Sequence, residues 1–139
     1  MLLVDTSGLI AAADPDDPFH RGALAVLTAA RGPMLMSPFV LAELDHLLRR
    51  RAAVAARRLL LIDVARGAYR LDPFDKDDVA AAIGVIDRYA DLDLDLADAS
   101  IVVLAYRYQT RDVLTLDLRD FRVLPGPGGP FRVLPADAQ

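Results

Sequence analysis

The chain has 139 residues, no cysteine and a formal net charge of −4. That length suits one domain with an apolar core of its own. The missing cysteines exclude disulfides, thiolate metal sites and a thiol nucleophile, and the negative charge argues against nucleic-acid binding driven by bulk electrostatics. Hydrophobic residues make up 54% of the chain and mean hydropathy is +0.28, high for a small soluble monomer, which points to surface covered by a partner. No apolar run approaches the ~20 residues of a membrane helix. The chain enters an apolar run with no basic region before it, so no signal peptide and no membrane contact are expected, and a reducing cytoplasm is the compatible compartment.

Met1-Leu2-Leu3-Val4 is a short apolar run that reads as a buried strand, and Asp5 closes it. Thr6 or Ser7 is expected to cap a short helix that runs from Ser7 to Ala13. Asp16 or Asp17, with Pro18 in the first turn, opens a second helix over Phe19 to Ala30. Met34 to Met36 is a strand. Ser37-Pro38 reads as N-cap and N1 of a third helix, which reaches about Arg51. Ala52 to Arg66 forms a fourth helix, stopped at Gly67, and Ala68 to Leu71 a short strand. Asp75 starts a helix through Tyr89. The alternating Asp91-Leu92-Asp93-Leu94-Asp95-Leu96 lies between helices and reads as a loop. Ala97 to Tyr108 is helical, Asp112 to Thr115 a strand, Asp117 to Phe121 a turn, and Phe131 to Leu134 the last strand. The pentapeptide Phe-Arg-Val-Leu-Pro occurs at Phe121 and again at Phe131, too short to be a structural repeat. The expectation is a single domain over 1–139, with 135–139 a loose tail. Strands alternating with helices imply an α/β fold with a parallel sheet covered on both faces.

Several acids fall where such a sheet places its ligands, at the carboxyl ends of strands. Asp5 follows the first strand and Asp117 the strand before it in the same way, with Asp120 close by and able to bind Arg119. Glu43 sits beside Phe39 and Leu47 on its helix, at the edge of the apolar stripe; an ion pair with Arg50 is the structural alternative. Asp98 shares a face with Ile101, Val102 and Ala105, so it points inward from the first turn; a capping arrangement with Asp95 is the alternative. Like charges brought together repel, and hard cations with oxygen ligands, Mg²⁺ or Mn²⁺, resolve the repulsion. Such ions suit phosphodiester hydrolysis by water. Neither His20 nor His46 has ligand spacing. Arg49, Arg50, Arg51, Arg57 and Arg58 are candidates for a phosphate backbone or a partner, or form a solvated helix face.

Leu3-Val4-Asp5-Thr6-Ser7, Ser37-Pro38 with Leu41-Ala42-Glu43-Leu44, Leu96-Ala97-Asp98-Ala99-Ser100, and Leu114-Thr115-Leu116-Asp117-Leu118-Arg119-Asp120-Phe121 together resemble the PIN-domain family, in particular the VapC-type toxins of bacterial toxin–antitoxin pairs. The similarity spans nearly the whole chain. It implies a three-layer α/β/α sandwich with a central, mainly parallel sheet. It implies that Asp5, Glu43, Asp98 and Asp117 are the metal-binding catalytic acids, supported by Thr6 and Thr115, with Asp120 and Asp95 as further candidate ligands. It also implies a Mg²⁺-dependent endoribonuclease, a cognate VapB-type antitoxin and a homodimer. Hydrolysis by water attacking phosphorus in line leaves 5′-phosphate and 3′-hydroxyl ends. The alternative reading is a non-catalytic RNA- or partner-binding module on the same fold. An aspartyl phosphotransferase is disfavoured, because position 7 is Ser and the only lysine, Lys76, lies far from the motifs.

Overall fold

The computed structural model describes all 139 residues. In chain order the elements are β1 (Leu2–Val4), α1 (Thr6–Ala13), α2 (His20–Ala29), β2 (Met34–Met36), α3 (Pro38–Arg50), α4 (Val54–Ala65), β3 (Arg70–Leu71), α5 (Lys76–Arg88), α6 (Leu96–Tyr108), β4 (Asp112–Leu114), α7 (Leu118–Phe121), β5 (Pro125–Gly126), β6 (Gly129–Pro130) and β7 (Arg132–Leu134). Five strands form one sheet in the order β3-β2-β1-β4-β7, and every neighbouring pair is parallel. The connections from β1 to β2 and from β3 to β4 cross the sheet in opposite directions. Right-handed crossovers therefore put the α1–α2 pair on one face and the α5–α6 pair on the other. The sheet is flanked by helices, as expected for the three-layer architecture.

The strands are short, and all of the sheet except the exposed edge strand β3 supplies residues to the core. Leu2, Leu3, Val4, Leu35, Met36, Val113, Leu114, Val133 and Leu134 are all buried. A strand covered on both faces cannot alternate polar and apolar residues, which is why these runs are continuous. Ser37 caps α3 by accepting the Phe39 N–H at 3.1 Å, with Pro38 at the first helical position. Asp75 and Asp95 open α5 and α6 in reciprocal capping boxes with Asp78 and Asp98.

Several local expectations are corrected. Neither Thr6 nor Ser7 caps α1; both lie within its first turn, and Asp5 holds the N-cap position without a side-chain cap bond. Its carboxylate is engaged elsewhere, with Thr115. Nor does Asp16 or Asp17 cap α2. Asp14 accepts the Asp16 N–H and Asp17 the Phe19 N–H, so both acids serve the turn before the helix. The stretch from Asp91 contains a 3₁₀ turn over Ala90–Leu92, and Asp93 (φ 52°) takes the left-handed conformation that ends it. Asp117 to Phe121 includes a short helix rather than a plain turn. The glycine-rich loop folds into the β5–β6 hairpin, with Gly128 at φ 73° in the reversal. From Pro135 the chain is tied down at Asp137, which accepts the Val133 N–H at 2.8 Å and a two-pronged ion pair from Arg122 at 2.7 and 2.6 Å.

After β1 the chain moves outward through β2 to β3, then returns to place β4 on the other side of β1. The gap beyond the carboxyl ends of β1 and β4 is thus the topological switch point, where open α/β sheets hold their ligands. Gly8 closes that gap. A Cβ built there would lie 2.6 Å from Leu114 Cγ, 2.7 Å from the Leu114 carbonyl oxygen and 2.9 Å from its carbon. Only glycine lets the first turn of α1 rest on the end of β4. Gly8→Ala is expected to cost about 2 kcal/mol or more, because backbone must move to admit the methyl. Gly84→Ala on α5, with nothing within 4 Å, is expected to stabilise by roughly 0.5–1 kcal/mol. Urea denaturation of the two variants checks both signs.

Candidate active site

Asp5 stands at the end of β1, 6% exposed, and is the most enclosed of the acids at the switch point. Thr115 Oγ1 donates to its Oδ2 at 2.6 Å and Ser7 Oγ at 3.2 Å. The same two hydroxyls bind the strand-end backbone: Leu116 N donates to Ser7 Oγ at 2.9 Å and Asp117 N to Thr115 Oγ1 at 3.0 Å. The end of β1, the first turn of α1 and the segment after β4 are therefore one hydrogen-bonded unit. Burial raises the proton affinity of Asp5 above the ordinary carboxylate range; the hydroxyl bonds oppose this and the charge of Glu43 adds to it.

Glu43 is half-buried on α3 and makes no ion pair, so the Arg50 alternative is not realised. Asp98 is half-buried in the first turn of α6. It completes the capping box, accepting the Asp95 N–H at 3.4 Å, and it also sits within the field of Asp5. Desolvation, then Asp95 and Asp5, push its pKa up to about 8. Asp117 caps α7 by accepting the Asp120 N–H at 3.0 Å. Asp120 is more deeply buried, at 8% exposed, and its Oδ1 has no hydrogen-bond partner. Its pKa is also raised, by desolvation first, then by Asp117 and more weakly by Asp95. The acids from four separate motifs are thus close enough to resist one another's ionisation.

Their positions bear on what they could hold. No three acidic or histidine side chains stand close enough, as placed, to enclose one ion. Asp5, Asp98 and Asp117 are each turned into a local hydrogen bond instead. The donor set nonetheless fits a hard divalent cation: it is all carboxylate oxygen, it is mutually repulsive, and the orphaned Asp120 Oδ1 lacks a partner that such an ion would supply.

Among the remaining candidates, Thr6 is buried and its Oγ1 has no partner. Arg49 and Arg50 occupy the last turn of α3, and Arg50 lies about 10 Å along the axis from Glu43 at the usual helical rise. Arg49, Arg50, Arg51 and Arg58 are exposed, while Arg57 is held by Asp45. His46 is exposed on α3, and His20 Nδ1 lies 2.9 Å from the Ala11 carbonyl, an α1–α2 tie with no ligand role. Sequence reasoning missed the part played by Ser7. A hydroxyl two residues past a strand-end acid reads as a helix cap, and only the approach of β4 gives it a second partner. The contact with Arg119 read from the sequence is made by Asp120, whose Oδ1 lies 3.8 Å from Arg119 Nε at the rim.

The raised pKa of Asp98 fixes a pH dependence. Below the unfolded value near 3.8 both states are protonated and the group contributes nothing to the difference. As pH rises from there towards about 8, the unfolded chain releases the proton while the folded chain keeps it, so stability falls across that window. Asp98→Asn removes the loss and retains an oxygen for the Asp95 N–H. The Tm of the metal-free variant is expected to exceed that of the native chain by a margin that is near zero at pH 4 and grows to pH 8. Calorimetry in EDTA across that range measures it, and an unchanged or lowered Tm at pH 8 would remove the repulsion.

A comparison with known proteins agrees with this geometry. The family model described as "PIN domain" matches residues 2–127. The chain is 38% identical over 135 residues to Ribonuclease VapC26 of Mycobacterium tuberculosis, covering 96% of this chain and 100% of that protein. The crystal structure of VapC20 from Mycobacterium tuberculosis, a toxin that cleaves the sarcin–ricin loop, superposes with a TM-score of 0.73. That match has 24% identity over 86% of this chain and 92% of the other, and it bears on the fold alone. With its sheet order, its acids at the switch point and these matches, the chain belongs to the PIN-domain family, alongside the VapC ribonucleases.

Proposed function

We propose that the protein is a Mg²⁺-dependent endoribonuclease, the toxin of a toxin–antitoxin pair, with Mn²⁺ able to replace Mg²⁺. The observation that carries this reading is Asp5: a carboxylate buried at the switch point, opposed by Glu43 and itself opposing Asp98. Burial of that kind is costly unless the group is used. The VapC relationship supports RNA as the substrate and a VapB-type antitoxin as partner.

Asp5, Glu43 and Asp98 would hold the ion, with Asp117 or Asp120 completing the set. When bound, it supplies the positive charge that activates an attacking water and stabilises the leaving oxygen. Thr115 and Ser7 keep Asp5 Oδ2 fixed in orientation. Asp98, with its high proton affinity, must give up its proton on binding, so metal affinity should rise with pH. Arg119 and the exposed arginines of α3 and α4 offer cations to the phosphate backbone around an acidic centre. A partner chain fits α4, which reads Val-Ala-Ala-Arg-Arg-Leu-Leu-Leu-Ile-Asp-Val-Ala yet buries no residue, leaving Val54, Leu59 and Leu61 exposed. A homodimer is proposed on the same grounds of uncovered apolar surface.

Purified protein is expected to cut cellular RNA into discrete fragments with Mg²⁺ and to leave it intact with EDTA or with Asp5→Ala. The new ends should be 5′-phosphate and 3′-hydroxyl; a 2′,3′-cyclic phosphate would overturn attack by water. Thr115→Ala, which frees Asp5 to turn, is expected to cost about 10- to 100-fold in activity. Intact RNA in every lane, with no Mn²⁺ bound by the antitoxin-free protein, would leave a non-catalytic binding module.

A further inference from the structure

Two hydroxyls buried between helices have no part in the site as described so far. Ser37 and Ser100 are 1% and 0% exposed, and their Oγ atoms lie 2.6 Å apart. Ser37 is the N-cap of α3, the helix that carries Glu43; Ser100 lies two residues past Asp98 on α6. Theirs is the one hydrogen bond that joins α3 to α6.

Its direction follows from counting protons. Ser100 Oγ also lies 2.6 Å from the Ala97 carbonyl, which can only accept, so the single Ser100 proton goes there. Ser37 must then donate to Ser100, and the lone pairs of Ser37 accept the Phe39 N–H at 3.1 Å. The Ala97 carbonyl belongs to the peptide bond whose nitrogen is Asp98 N, and that N–H donates to Asp95 Oδ1 at 2.8 Å. A continuous relay therefore runs from the cap of α3 through Ser37, Ser100 and the Ala97–Asp98 peptide to Asp95. Each bond in such a chain polarises the next.

We propose that Ser37 and Ser100 are a positioning pair that sets the separation of Glu43 from Asp98, and with it the affinity of the acidic site for a divalent cation. The inference rests on the metal-dependent reading above. Neither serine touches the ion or the RNA. They fix the two helices whose acids must converge, at the one place where those helices share a polar contact. Without the bond, α3 and α6 are held together by apolar packing, which is far less directional than a hydrogen bond. Buried hydroxyls left unpaired there cost stability as well, so the test must separate position from stability.

The experiment measures Mn²⁺ affinity by calorimetry and by electron paramagnetic resonance on the full-length, antitoxin-free chain. Ser100→Ala is compared with Val133→Ala, a buried core truncation on the outer strand β7. Ser37→Thr, which keeps both the cap and the donor, is the conservative variant. Ser100→Ala is expected to weaken Mn²⁺ binding about tenfold or more, the range seen when residues that orient metal ligands are lost. Val133→Ala is expected to lose stability while binding Mn²⁺ within twofold of the native chain, and Ser37→Thr to bind as the native chain does. Removing both hydroxyls (Ser37→Ala with Ser100→Ala) is expected to restore none of the affinity. Native affinity in Ser100→Ala, or an equal loss in Val133→Ala, would overturn the positioning role. A native chain that binds no Mn²⁺ would instead overturn the metal-dependent reading itself.

Discussion

The structure depends on a single short hydrogen bond at the centre of its sheet, from Thr115 Oγ1 to Asp5 Oδ2 at 2.6 Å. It joins residues 110 positions apart, at the ends of two neighbouring parallel strands. A buried carboxylate without donors would be intolerable, and here Thr115 and Ser7 supply them. Around that bond the chain arranges its tightest packing: α1 rests on Leu114 through Gly8, and the connections that follow β1 and β4 lead to opposite sides of the sheet. The acid is thus both the joint between two halves of the sheet and the deepest member of the site.

The surrounding acids set stability against use. Desolvation, Asp95 and Asp5 all raise the proton affinity of Asp98, and Asp120 is buried with one oxygen lacking a hydrogen-bond partner. A domain selected only for stability would not gather them. Asp98 and Asp117 each have a local occupation as a capping ligand in the isolated chain. The cost falls on the charge rather than on the hydrogen bonds. A divalent cation would offset that charge, which connects the strained electrostatics of the protein to its proposed reaction.

Elsewhere the charges are settled in ordinary ways. Asp72, fully buried at the end of β3, is held by Arg107 at 3.0 Å and Arg70 at 3.1 Å, and Arg107 reaches on to Asp78 at 2.8 Å. That network ties the edge strand to α5 and α6 with a matched cation for its acid. Asp72 is thus matched by two arginines, whereas Asp5 has only hydroxyl donors and the neighbouring charges of other acids.

The sequence by itself determined the elements and the acids. Continuous apolar runs gave the buried strands, Ser37-Pro38 and the acids at positions 75 and 95 gave the helix starts, and the four motifs marked Asp5, Glu43, Asp98 and Asp117. These signals are local, carried by residues within a turn or two of one another. What only the tertiary structure decided is what depends on residues far apart in the chain. Ser7 reads locally as a capping residue, but its side chain bonds Asp5 and the segment after β4, and the Ser37–Ser100 bond spans 63 positions. The greater burial of Asp120 relative to Asp117 arises from the short helix that packs it inward. A hydroxyl or carboxylate states in the sequence only that it must be paired; which group pairs with it is settled when the sheet brings the strand ends together.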